Sequence, residues 1–70
     1  MTNTELLLEL IDGSGYKRKY IADKLGITTY SLQKKINNET EFKATEINIL
    51  CDVLKIIDID LRWKIFFAKE

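Results

Sequence analysis

Residues 18–37, RKYIADKLGITTYSLQKKIN, decide how the chain folds. Ile21 and Leu25 lie four apart with Ala22 beside them, while Lys17, Arg18, Asp23 and Lys24 point elsewhere, so a short amphipathic helix is predicted over about 17–25. Gly26 is placed to end it in the left-handed conformation, with Ile27 following as a buried anchor. Thr28 can then cap a further helix over about 29–37, its hydroxyl accepting from the backbone N–H of Tyr30 or Ser31. On that helix Leu32 and Ile36 form a narrow apolar stripe, which leaves Thr29, Tyr30, Gln33, Lys34 and Asn37 on a polar face.

Upstream, Thr2 with Glu5 three residues later fits a capping box, and Thr4 is a second candidate cap. Leu6, Leu7, Leu10 and Ile11 recur at helical spacing and predict a first helix over about 4–12, with Asp12-Gly13-Ser14-Gly15 as a turn. That turn is not a phosphate loop: Arg18 stands where the third glycine of G-x-G-x-x-G would fall, and no strand precedes it. Downstream, residues 37–41 read as a polar loop, and Phe42, Ile47, Ile49, Leu50, Val53 and Leu54 predict a helix over roughly 44–55. The final segment admits two readings. Ile57, Ile59, Leu61, Trp63 and Ile65 alternate with charged residues as in a strand, yet Asp58 can cap a helix on which Ile59, Trp63 and Phe66 share a face. The favoured reading is a short helix over about 59–64 followed by an extended stretch from Ile65 to Ala68. The expectation is therefore an all-α bundle of four to five short helices, in one domain spanning residues 1–70.

With 70 residues, the chain has little interior to give to a large enclosed active site. It has no His, one Cys and no Pro, so Ser-His-Asp and Cys-His catalysis, His metal sites and Cys-rich zinc sites cannot be assembled within it. No catalytic residue, metal, cofactor or small-molecule ligand is expected. The carboxylate pairs Asp58 with Asp60 and Glu39 with Glu41 read as solvated charge, lacking a partner that would tune them. The lone Cys51 forbids an intrachain disulfide and reads as a small core residue of the fourth helix. With no stretch near the ~20 apolar residues of a membrane span, a reduced, cytoplasmic protein is expected.

Eleven basic and eleven acidic residues cancel, but they are not mixed. Residues 1–16 carry only Glu5, Glu9 and Asp12, whereas residues 17–36 carry Lys17, Arg18, Lys19, Lys24, Lys34 and Lys35 against Asp23 alone. Such polarity can steer a polyanion to one face of an otherwise acidic body.

The stretch 18–37 resembles the helix-turn-helix of phage Cro and lambda-repressor-like regulators, the small regulators of Gram-positive phages and prophages above all. That family's small residue between the helices is matched by Ala22, its turn glycine by Gly26, and its apolar positions by Ile21, Leu25, Ile27 and Leu32. Two positions depart: Lys35 replaces an apolar residue three after Leu32, where Ile36 can take over the core contact, and Lys17 replaces the usual Ser or Thr cap. The resemblance covers about residues 5–57 and implies sequence-specific binding of double-stranded DNA by a transcriptional regulator, with residues 29–37 as recognition helix in the major groove. It implies base contacts from Thr29, Tyr30, Gln33 and Lys34, and phosphate contacts from Lys17, Arg18, Lys19, Thr28, Lys35, Asn37 and Asn38.

The apolar cluster Leu61, Trp63, Ile65, Phe66 and Phe67 predicts a homodimer on an inverted repeat, with residues 59–70 as the dimerisation segment, either as a ribbon or by helix packing against its mate. The competing reading is that these residues finish the core of one copy. The rival function is a protein-binding antirepressor of the same fold that sequesters another regulator; the basic middle segment argues against it.

Overall fold

The fold is all-α. In a computed structural model, which describes residues 1–67, five helices follow one another: α1 (Thr4–Ser14), α2 (Arg18–Leu25), α3 (Thr29–Ile36), α4 (Ala44–Val53) and α5 (Ile59–Phe66). There is no strand among the described residues, and the body measures 27 × 24 × 21 Å. No helix is long and apolar enough to cross a membrane.

The two helices of the deciding stretch form where their signals lie. Gly26 takes φ 73°, its N–H and that of Ile27 returning to the carbonyls of Ala22 and Asp23, which closes α2 as only a left-handed residue can. Thr28 Oγ1 accepts from Ser31 N at 3.0 Å and opens α3. The Thr28→Ala variant should lose about 1 kcal/mol in denaturant unfolding, the usual cost of an N-cap hydroxyl, with its far-UV spectrum unchanged.

Other boundaries move. The cap of α1 is neither Thr2 nor Thr4 but Asn3, whose side chain accepts from Leu6 N. Thr4 Oγ1 instead donates to Ile36 O at 2.6 Å, and Thr2 is buried against Asn38. The first helix runs through Gly13 to Ser14, because Gly15, at φ 78°, is the residue that turns the chain. The fourth helix stops at Val53, and Lys55 takes a left-handed φ of 57° just beyond it.

Leu7, Ile11, Ile21, Leu32, Ile36, Leu50 and Ile65 are fully buried, and Cys51 joins them, so each helix contributes to one core. Here α2 lies on α4 and α3, and α1 on α3 and α5. The last helix corrects the expectation most. It continues to Phe66, so Ile65 and Phe66 are helical rather than extended; Ala68, the end of the expected extended stretch, lies outside the described residues. Its inward face is Leu61, Ile65 and Phe66, whereas Ile59 and Trp63, expected beside Phe66, face outward. Alternation in the sequence hid this, since positions 61, 65 and 66 share a side only at helical pitch.

Candidate nucleic-acid interface

The exposed face of α3 carries two rows of side chains. In one, Gln33 Nε2 donates to Asn37 Oδ1 at 3.2 Å; in the other, the Lys34 ammonium sits 5.4 Å from the centre of the Tyr30 ring. Both rows follow from four-residue spacing on a helix. Thr28, Thr29 and Tyr30, at the start of α3, are exposed, Tyr30 at 73%. Gln33 and Lys34 are half-buried one turn on.

Arg18, at the first position of α2, donates to Gln33 Oε1 at 3.1 Å and lies 3.7 Å from Asp12. The guanidinium therefore bridges α2 and α3 and orients the Gln33 amide, a pairing that no spacing rule exposes because 15 residues separate the two. With one lone pair of Oε1 and one N–H of Nε2 engaged, Gln33 keeps one acceptor site and one donor. Such a donor–acceptor pair is what the N7 and N6 edge of adenine requires.

Lys17, Lys24 and Lys34 form no salt bridge among the described residues, while Lys19 pairs with Asp23 at 3.5 Å across one exposed turn. Lys24 lies over the Tyr20 ring, which stacks on Tyr16 at 4.8 Å. This aromatic and basic stripe, which runs from Tyr16 in the turn before α2 along that helix to Lys24, is not among the sequence-predicted contacts, although the spacing 16, 20, 24 is its signature.

Three expected phosphate contacts sit differently. Lys35 is buried: its Nζ donates to Glu46 Oε1 at 2.7 Å and to Glu41 O at 3.3 Å, so the ammonium is spent inside the fold. Asn38, at φ 65°, exchanges two 2.8 Å hydrogen bonds with the backbone of Thr2 and so ties the segment before α1 to the end of α3. Asn37 is exposed, with its carbonyl oxygen engaged by Gln33.

Glu46 holds this region from the other side. Burial pushes its pKa up, but the Lys35 ammonium and the Lys43 backbone N–H, at 2.8 Å, outweigh burial and leave the carboxyl below its ordinary value. Burial also raises the Cys51 thiol above its ordinary value, with Arg62 opposing, which leaves little thiolate for chemistry. In comparison with known protein families, curated proteins and solved structures, nothing matches this chain.

Proposed function

We propose that the chain is a Cro-like regulator that binds double-stranded DNA sequence-specifically, as a homodimer on an inverted repeat. In this reading α2, the turn at Gly26 and α3 form a helix-turn-helix, with α3 entering the major groove. The observation that carries it is the outward face of α3, where Gln33 is held by Arg18 with a donor and an acceptor to spare.

Thr29, Tyr30, Gln33 and Lys34 meet the bases or the phosphates beside them. Lys17, Lys19 and Thr28 hold the backbone, and the exposed Lys24 extends the basic surface. Lys35 and Asn38 leave the list of DNA contacts, since their polar groups are committed within the fold. Arg18 takes a double part, supplying charge and fixing the amide of Gln33.

Selection from a pool of random duplexes at two salt concentrations tests this. Enrichment of a short inverted repeat is expected, with the dimer's affinity falling about ten-thousandfold between ~50 and ~200 mM salt if each copy neutralises about four phosphates. Gln33→Ala should relax preference at one position by about 1–3 kcal/mol, and Arg18→Ala should weaken every sequence and blur that same position. Retention of no DNA at low salt would overturn the reading in favour of protein binding.

A further inference from the structure

The side of α5 turned away from the core is apolar along one stripe. Ile59 is 80% exposed, Trp63 59% and Phe67 46%, and Ile57, in the turn leading into the helix, is 94% exposed. Ile59, Trp63 and Phe67 follow at four-residue intervals, and the Trp63 and Phe67 rings lie 5.7 Å apart. The patch is on the order of 500 Å², toward the upper end of what a monomer of this kind leaves in water.

Beside that stripe stand Asp60 and Lys64, also one turn apart and also exposed. Two copies of α5 laid antiparallel about a two-fold axis near residues 62 and 63 bring apolar stripe onto apolar stripe. The same axis keeps each flank on its own side, so Asp60 of one copy falls opposite Lys64 of the other, twice. The charge pattern is self-complementary in the antiparallel arrangement; in a parallel one, the two-fold axis would send the charged flanks to opposite rims and the pairs would not form. Two such patches, with their polar rims, approach the ~1,200–2,000 Å² of a specific interface.

We infer that the outer face of α5 is the surface on which a second copy of this chain docks, antiparallel, with Ile59, Trp63 and Phe67 at its centre and reciprocal Asp60–Lys64 pairs at its rim. This deepens the homodimer of the proposed function and revises its composition: Leu61, Ile65 and Phe66 turn to the core, and Ile57 and Ile59 enter.

Sedimentation of the full chain without DNA tests it. A dimer is expected, and dilution should shift the emission of Trp63, the chain's one tryptophan, to the red as its ring enters water. Asp60→Lys should weaken dimerisation at least tenfold by setting lysines opposite each other, and Asp60→Lys with Lys64→Asp should restore it by rebuilding both pairs in reverse. Circular dichroism should show all variants folded, the altered side chains being exposed. A monomer at about 100 μM, or a dimer indifferent to these substitutions, would overturn the inference. Because DNA is absent from this experiment, the two readings fail separately: a dimer that retains no duplex would refute the DNA-binding reading alone, and a monomer that binds a half-site would refute the dimer in both while leaving DNA binding in place.

Discussion

Replacing Lys35 by methionine is expected to destabilise the fold by about 3 kcal/mol at neutral pH, because it leaves the Glu46 carboxylate buried without its cation. In a domain of this size that corresponds to a fall in Tm of about 12–24 °C. Glu46→Gln added to Lys35→Met should recover most of the loss, since a neutral amide can still accept from Lys43 N–H while no charge remains to be buried. The pH dependence has a definite sign. Glu46 has a folded pKa below its ordinary 4.5, so the pair's stabilisation is complete above that value and disappears as pH falls through the lowered one. In Lys35→Met the lowering influence of the ammonium is gone, so the gap between variant and parent should be widest near neutrality and narrow in acid. Thermal melts of both proteins between pH 3 and 7 measure it; a gap independent of pH would show that the lysine acts by packing alone.

Ile65→Ala is expected to cost about 3 kcal/mol, in the range for truncating a fully buried isoleucine. This distinguishes the two sides of α5. Trp63→Ala, at the exposed side, should leave the stability of a single copy nearly unchanged at protein concentrations where the chain is monomeric. Chemical unfolding at fixed low concentration checks both. Equal losses from the two substitutions would mean that the helix lies on the core differently.

The contrast shows what could be read beforehand. The α2–turn–α3 unit was legible because its signals are local: a glycine needing positive φ at 26, a hydroxyl cap at 28, and apolar residues at one spacing. The inward face of α5 was not, because over residues 57–65 the alternation of apolar and charged residues imitates a strand, and only docking onto the shared core, α1 included, selects 61, 65 and 66 as the inner face. Lys35 misled for another reason. Its position next to Ile36 points inward, its residue type points outward, and the carboxylate that reconciles the two is on a different helix. Of the candidate site, the exposed residues of α3 were read from the pattern, whereas the Arg18–Gln33 bond that orients one of them is tertiary.

The segment before α1 has a consequence of its own. Asn3 N–H donates to Ile65 O at 2.6 Å, while Thr2 is held by Asn38 and Thr4 by Ile36. The first residues are thus laced to α5 on one side and to the end of α3 on the other, closing a ring between parts of the chain some 60 residues apart. Closing so long a loop costs entropy that the contacts of α5 must offset, so docking of α5 is expected late in folding. In native-state hydrogen exchange the lacing and α5 would then open as one sub-global unit, and the seam along which they part ends at the face of α3.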